Sequence, residues 1–177
     1  SDKDLATPDK EYIIPGIIGF PIIQQLKEIR INLLHNTIEV PQTPSTRDFS
    51  NLYMYQDKPV VQVLARQDTL RMAMDTGARL SELSNTYFKK NEEEIIAKSK
   101  YQAIYRGGAG GAIKEEIYLY PDFNYQIGHK KGSLPYISVN ITDYNFLKGM
   151  DGNLGQDVYT QHDQLILNFE GMFMDFE

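Results

Sequence analysis

Asp75, Thr76 and Gly77 place a carboxylate, a hydroxyl and a glycine in succession at the end of a strand-like stretch. Over residues 70–74, apolar side chains alternate with polar or small ones, and this period of two is typical of a half-buried β-strand. A carboxylate at the end of a buried strand is a candidate general acid or base, and a glycine beside it lets two backbone segments approach closely. The alternative interpretation is an ordinary Asx-type turn.

A glycine cluster follows about thirty residues later in the chain. It consists of Gly107, Gly108, Ala109, Gly110 and Gly111. A phosphate-binding loop needs Lys and then Ser or Thr after the glycines, whereas here they are followed by Ala-Ile-Lys-Glu. A phosphate loop is therefore excluded, and the strand-like flanks predict a hairpin with the glycines at its tip.

The two ends of the chain resemble each other when they are aligned with an offset of 136 residues and no gap. Eight pairs agree in this single register: Gly16 with Gly152, Ile18 with Leu154, Gly19 with Gly155, Ile22 with Val158, Gln25 with Gln161, Ile29 with Leu165, Ile31 with Leu167 and Asn32 with Asn168. Chance agreement of short apolar runs is the alternative. The repeat predicts a complete unit at 52–177, the end of another unit at 1–45 and a linker at 46–51. The counterpart of Asp75 would lie about sixty residues upstream of Ser1.

The composition is that of a soluble globular protein of one domain or slightly more. The 177 residues are 41% hydrophobic and 24% charged. A formal net charge of -6, with Lys and Arg scattered, argues against a nucleic-acid or anionic-membrane partner. No apolar stretch approaches the roughly 20 residues of a membrane span, and the absence of cysteine excludes disulfides and thiolate chemistry.

Frequent turn signals between short apolar runs predict a mainly β chain. The expected strands are 59–65 paired with 69–75, a strand ending at 106, one from 113 to 119, 124–127 paired with 134–141, and finally 164–169 and 172–176. One substantial helix is predicted over 84–98, because Ser84 stands at its start and apolar residues recur on one face. A shorter helix is predicted near 156–162.

In this order, the elements and motifs resemble those of the retropepsin-like and pepsin-like aspartic proteases. The resemblance rests on the sequence MAMDTGA at 72–78, the glycine hairpin at 107–111 and the closing sequence at 152–157. It implies a closed antiparallel β-barrel lobe with one or two short helices, covering residues 52–177. In such enzymes two carboxylates share a proton and hold the water that attacks the peptide bond.

The resemblance assigns three groups of residues and implies no metal and no cofactor. These groups are the catalytic Asp75 with its positioning residues Thr76, Gly77 and Ala78; the flap residues Gly107, Gly108, Ala109, Gly110 and Gly111; and the structural loop residues Gly152, Leu154 and Gly155. Asn153 departs from the family, which usually carries an aliphatic residue at that position.

Two functions from different classes are compatible with these residues. The first is an aspartic endopeptidase acting on a peptide or protein substrate. The second is a non-catalytic peptide-binding or structural module of the same fold, whose partner Asp has been lost. The expected partner is a second lobe or a second copy of this chain in a homodimer, and an upstream sequence with a second apolar-Asp-Thr/Ser-Gly motif would favour the enzyme.

Overall fold

A computed structural model describes residues 18–108, 111–143 and 147–177 of the chain. These residues are mainly β-strand, which confirms the fold class predicted from the sequence. The strands are β1 (Glu28–Asn32), β2 (Thr37–Glu39), β3 (Leu52–Tyr55), β4 (Lys58–Ala65), β5 (Asp68–Met74), β6 (Glu82–Leu83), β7 (Lys100–Gly108), β8 (Gly111–Ile127), β9 (Lys130–Asn140), β10 (Gly152–Leu154), β11 (Gln164–Asn168) and β12 (Phe173–Phe176). The helices are α1 (Phe20–Gln25), α2 (Asn85–Lys90), α3 (Glu92–Lys98) and α4 (Gln156–Tyr159).

Six strands close into a barrel. Neighbours pair in the order β4–β5–β10–β6–β9–β8, and β8 returns to β4 through the pairs Leu64 with Gln126 and Ala65 with Tyr125. Closure leaves none of these six strands with an unpaired side along the circuit. Alternate residues of β4 and β5, among them Val61, Val63 and Met72, are fully buried in the core that fills the barrel.

Two short pairings in this circuit are parallel, whereas the other four are antiparallel. One joins β6 to β9, and the other arises because β10 comes from far along the chain and inserts between β5 and β6. β10 runs parallel to β5, with Leu154 opposite Met74, and antiparallel to β6. The chain segment between β5 and β6, residues 75–81, therefore loops around the end of β10.

The single helix predicted over 84–98 is wrong, because the structure divides it at Asn91 into α2 and α3. Asn91 has φ -128° and ψ 22°, outside the helical region, and its side-chain amide donates to the Tyr87 carbonyl oxygen at 3.0 Å. Asn side chains compete in this way with the helical hydrogen bonds of the backbone. Three glutamates then fill the first turn of α3, where the helix dipole favours negative charge.

The strands predicted at 113–119 and 124–127 are parts of one continuous strand, β8. This 17-residue strand remains paired throughout, because β7 lies beside its first half and β9 beside its second. The predicted glycine hairpin is the β7–β8 hairpin, paired up to Gly108 with Gly111. Ala109 and Gly110 lie outside the described residues.

A second sheet, in the order β12–β11–β1–β2, is built from the two ends of the chain. β1 pairs antiparallel with β11 so that Arg30 faces Ile166, its own counterpart in the 136-residue offset. The same offset converts every β1–β2 pair into a β11–β12 pair: Arg30 with Glu39 becomes Ile166 with Asp175, Ile31 with Ile38 becomes Leu167 with Met174, and Asn32 with Thr37 becomes Asn168 with Phe173. A local twofold axis thus passes between Arg30 and Ile166. Residues 18–40 and 154–176 are termed the N-terminal tail and the C-terminal tail.

Hydrogen bonds of the two tails repeat with the same offset, so residues 18–40 and 154–176 correspond in structure. Each tail has the same helix start, the same side-chain cap of its turn and the same bond across the axis. The equivalent bonds are Ile22 N–H to Gly19 O and Val158 N–H to Gly155 O; His35 N–H to Asn32 Oδ1 and Gly171 N–H to Asn168 Oδ1; and Leu33 N–H to Asp163 O and Phe169 N–H to Lys27 O.

The segment 41–51, which contains the predicted linker, holds no helix or strand and is bound to this second sheet through polar groups. Asn51 exchanges two hydrogen bonds with the backbone of Met174, and Arg47 pairs with Asp175 at 2.7 Å. Ser45 donates its backbone N–H and its hydroxyl to Glu28, at 2.6 and 2.9 Å.

Glu28 is a fully buried carboxylate at the centre of these contacts. Besides Ser45, it accepts from Arg30 Nε at 2.8 Å and from Asn168 Nδ2 at 2.6 Å. Burial by itself raises the pKa of Glu28, but the hydrogen bonds from Arg30, Ser45 and Asn168 together hold it below its ordinary value of 4.5. The ionised carboxylate therefore joins the two tails and the segment between them.

We expect Glu28→Gln to lower the free energy of unfolding by about 1–3 kcal/mol at neutral pH, because an amide replaces a charged acceptor of four hydrogen bonds. Folding lowers the pKa of Glu28, so its contribution is complete above pH 4.5 and is lost as the pH falls through the folded-state value. Urea unfolding at neutral and acidic pH measures both effects. The exposed Glu39→Gln is the control, and a difference between Glu28→Gln and wild type that does not shrink in acid would contradict the prediction.

Candidate active site

The Asp75 loop begins at the end of β5, where β5 lies beside β10. The Asp75 backbone N–H donates to the Leu154 carbonyl oxygen at 3.1 Å, which continues the pairing of the two strands by one residue. Asp75 itself is partly buried, whereas Thr76 and Gly77 are exposed. The loop therefore starts from a fixed strand end and projects to the surface.

Two backbone N–H groups orient the Asp75 carboxylate. Its Oδ1 accepts from Gly77 N–H at 2.9 Å and from Ala78 N–H at 3.1 Å. A Cβ at position 77 would lie 3.3 Å from this oxygen, so a glycine leaves the room that the bond needs. These are also the bonds of an Asx-type turn, so the turn interpretation describes the geometry of the loop and the acid–base interpretation describes what such a carboxylate can do.

Residues at the start of α4 hold the Asp75 loop through hydrogen bonds. Gln156 donates its side-chain amide to the Thr76 carbonyl oxygen at 3.0 Å and its backbone N–H to the Ala78 carbonyl oxygen at 2.9 Å. Asp157 N–H donates to the Arg79 carbonyl oxygen at 3.3 Å. Three carbonyl groups of the loop are thus bound to the start of one short helix.

Gly152 and Gly155 allow the two chain segments to come this close. A Cβ at Gly155 would lie 2.6 Å from the Leu80 carbonyl carbon, and one at Gly152 would lie 2.1 Å from the Glu82 carbonyl oxygen. Both neighbours are backbone atoms, which cannot move aside as a flexible side chain can. Any side chain at these positions would separate β10 and α4 from the loop that carries Asp75.

Ser81 and Asp157 join the far end of the loop to α4. Asp157 Oδ1 accepts from the backbone N–H of Ser81 at 2.9 Å and from its hydroxyl at 2.7 Å. The same hydroxyl accepts from Gly155 N–H at 2.8 Å. The Ser81 N–H, the Ser81 hydroxyl, the Gly155 N–H and Asp157 Oδ1 are therefore all hydrogen-bonded. Such a network favours a rigid loop.

Tyr159 lies beneath the strand ends and is buried. Its hydroxyl donates to the Leu154 carbonyl oxygen at 3.1 Å, the oxygen that also accepts from Asp75 N–H. Burial raises the pKa of Tyr159 well above its ordinary value, although a hydrogen bond with the Asp75 backbone acts in the opposite direction. The phenol therefore remains a protonated donor under the loop.

The start of β10 is fixed by the buried Asp151. Its carboxylate accepts from Arg71 N–H at 2.9 Å and from Lys90 Nζ at 2.9 Å. Burial raises the pKa of Asp151, but the backbone hydrogen bond from Arg71 and the Lys90 ammonium outweigh it and hold the pKa below its ordinary value. Two residues later, Asn153 is buried with its Oδ1 unpaired, a polar cost at the position where the sequence departs from the family.

The structure places the loop that carries Asp75 beside Leu154 and Gly155. No backbone hydrogen bond among the described residues joins this loop to the β7–β8 hairpin. Sequence reasoning missed the supporting side chains Ser81, Asp151, Gln156, Asp157 and Tyr159. A polar pair directly after Gly155, at the start of a predicted helix, was the available signal for Gln156 and Asp157.

Neither a metal centre nor a membrane-spanning helix is found in the parts of the chain that the structure describes. Within 18–108, 111–143 and 147–177, no three acidic or histidine side chains are grouped so that they could hold a metal ion. In the same ranges, no helix has the length and apolar character needed to cross a bilayer.

Comparison with known proteins gives structural matches. No protein-family model matches the chain, and no curated protein matches it. Among solved structures the chain is similar to the EIAV protease complexed with the inhibitor HBY-793, at 20% identity and a TM-score of 0.42. The match covers 62% of this chain and 91% of that protease. A match of this strength assigns no function to this chain.

We expect Tyr159→Phe to lower the free energy of unfolding by about 1 kcal/mol, because it removes one buried hydrogen bond and leaves the ring packed. Tyr136→Phe is the matched control, since Tyr136 is exposed on β9. Urea unfolding of the two variants and the wild type measures the difference. Equal stabilities of the two variants would show that the Tyr159 hydroxyl does not stabilise the site.

Proposed function

We propose that this protein is an aspartic endopeptidase and that Asp75 is one of its two catalytic carboxylates. The observation that carries the proposal is the fixed orientation of Asp75: a barrel strand ends at it, two backbone N–H groups hold its Oδ1, and α4 supports its loop. A preorganised carboxylate of this kind loses little free energy to reorganisation during a reaction.

Peptide hydrolysis by this chemistry needs two carboxyl groups in different protonation states. The ionised carboxylate takes a proton from water as the water oxygen attacks the peptide carbonyl carbon, and the protonated carboxyl gives its proton to the carbonyl oxygen. The C–N bond then breaks as the amine nitrogen takes a proton from the first carboxyl and a hydroxyl of the intermediate returns its proton to the second carboxylate, which leaves a carboxylic acid and an amine as products. Two carboxyl groups held close together share one proton and so supply both states.

The second carboxylate would come from a second loop of the Asp75 type. The local twofold axis between Arg30 and Ile166 supports this part of the proposal, because it relates the N-terminal tail to the C-terminal tail. Thr76 is exposed in this chain, where its hydroxyl is free to bind across to that opposite loop.

An extended peptide is the proposed substrate, and the β7–β8 hairpin is the proposed lid. The hairpin is paired from Lys100 with Leu119 to Gly108 with Gly111. Tyr101 and Tyr105 are exposed along it, and such side chains suit contact with a peptide. Glycines at its tip would give a lid the freedom it needs to open and close.

A two-unit chain tests the proposal. In this engineered chain a second copy of residues 46–151 is placed directly before Gly16. This junction is chosen because the 136-residue offset makes position 16 equivalent to position 152. This chain carries two Asp75 loops, and we expect it to cleave unfolded protein substrates at internal peptide bonds, as mass spectrometry of the products would detect. Asp75→Asn in either unit should lower kcat by about 10²-fold or more, because each carboxylate takes part in proton transfer.

The control is Asp68→Asn, at the opposite end of β5 from Asp75. It removes an exposed carboxylate of the same strand and should leave cleavage unchanged. Cleavage that survives Asp75→Asn would contradict the role of Asp75. A folded two-unit chain that binds peptides without cleaving them would favour the non-catalytic peptide-binding module instead.

A further inference from the structure

Arg79 is an exposed cationic residue on the same loop as Asp75, four residues further along the chain. Each of the other arginines whose side chains the structure describes forms an ion pair with a carboxylate. These pairs are Arg30 with Glu28, Arg47 with Asp175, Arg66 with Glu94 and Arg71 with Asp151. Within the described ranges 18–108, 111–143 and 147–177, no ion pair includes Arg79.

The backbone on both sides of Arg79 is held in place although the residue is exposed. The Arg79 carbonyl oxygen accepts from Asp157 N–H at 3.3 Å, and the carbonyl oxygen before it accepts from Gln156 N–H at 2.9 Å. The backbone of Leu80, which follows, packs against Gly155, where a Cβ would lie 2.6 Å from the Leu80 carbonyl carbon. A cation on a fixed backbone loses less conformational freedom on binding a ligand than one on a mobile loop.

Arg79 lies close to Asp75 without pairing with it. Ala78 N–H donates to the Asp75 carbonyl oxygen at 3.3 Å, and the Cα atoms at the two ends of such a turn lie within about 7 Å of each other. Consecutive Cα atoms are about 3.8 Å apart, so the Cα of Arg79 lies within about 11 Å of that of Asp75. The Asp75 carboxylate accepts from backbone N–H groups instead. A paired guanidinium favours the ionised form of a carboxylate, whereas the proposed chemistry needs a shared proton.

The chemistry of this group fits a carboxylate ligand. A guanidinium presents planar N–H groups that bind both oxygens of a carboxylate. Leu80, which is 50% exposed beside it, offers apolar surface to the methylene groups of an acidic side chain. A nucleic-acid surface needs clustered cations rather than one. The formal net charge of -6 opposes acidic ligands at long range, so a preference for an acidic peptide would have to come from direct contact.

We propose that Arg79 is a specificity-determining residue and that it binds the side-chain carboxylate of an Asp or Glu in the peptide substrate. An extended peptide advances about 3.3 Å per residue, so a separation of up to about 11 Å from Asp75 corresponds to about three residues. The acidic residue therefore lies within about three residues of the cleaved bond, on the side that this loop contacts. The inference rests on the proposed function, because Asp75 marks the position of the cleaved bond.

Nuclear magnetic resonance of the present chain provides the first test, since it measures binding without cleavage. The probes are two peptides with capped ends and otherwise neutral residues, which differ only in a Glu or a Gln at one position. At neutral pH, the backbone N–H signals of Ala78 and Leu80 should shift with a Kd about fivefold lower for the Glu peptide, the scale of an exposed ion pair. The two Kd values should converge well below the ordinary Glu pKa of about 4.3, because the side chain is then uncharged.

Substitutions of Arg79 separate direct contact from a general effect of charge. Arg79→Gln should remove the difference between the two peptides, and Arg79→Lys should keep part of it, since an ammonium keeps the charge without the two-pronged geometry. Lys89→Gln is the matched control, because it removes another exposed cation, on α2, and changes the net charge by the same amount. Equal Kd values of the two peptides at neutral pH would overturn the proposal. So would a difference that survives Arg79→Gln or is lost in Lys89→Gln.

Cleavage of a peptide library by the two-unit chain provides the second test. Its two Asp75 loops each carry an Arg79, so acidic residues should be enriched on both sides of the cleaved bond, as mass spectrometry of the products would detect. Arg79→Gln in one unit should remove the enrichment on one side alone, which a change in net charge does not do. Loss on both sides, or on neither, would overturn the proposal. A folded two-unit chain that cleaves no peptide would contradict the proposed function, whereas Arg79-dependent binding in the present chain would still support the contact with a carboxylate.

Discussion

The close contact of β10 and α4 with the loop between β5 and β6 is the constraint on which the fold and the site both depend. Backbone atoms meet there at Gly152 and Gly155, where a Cβ would lie 2.1 and 2.6 Å from the backbone of Glu82 and Leu80. If β10 were displaced, the barrel circuit would lose the strand between β5 and β6. Asp75 would also lose the Leu154 carbonyl oxygen that fixes the start of its loop.

Local patterns were sufficient to predict the hairpins and the Asp75 loop. The alternation in β4 and β5 and the acid–hydroxyl–glycine sequence each depend on residues that are close in the chain. The division of the helix at Asn91 was missed because it depends on one side chain that competes for the Tyr87 carbonyl oxygen. The Ser81–Asp157 and Asp151–Lys90 contacts were missed because they join residues more than sixty positions apart, which a single sequence does not pair.

The repeat was the long-range feature that the sequence did reveal. It was visible because the two tails keep identical strand registers and so keep apolar residues, glycines and an asparagine at matching positions. The sequence did not reveal which parts of each tail are covered, since the exposure of Ile22 or Ile38 depends on what packs against them. The chain carries one Asp75 loop and so supplies one carboxylate, whereas the proposed peptide hydrolysis needs two.

The position of Arg30 on the local twofold axis has a consequence for which strands can pair. In the register observed, Arg30 faces Ile166, and its guanidinium turns to Glu28 of its own strand at 2.8 Å. If two β1 strands paired about the same axis, each Arg30 would face another Arg30, and like charges directly opposite each other disfavour a strand pair. Arg30, which lies on the axis, thus favours pairing of β1 with β11 over pairing of β1 with another β1. The two halves of the second sheet therefore have the same strand register but different side chains on the axis, where two identical charged residues would repel each other.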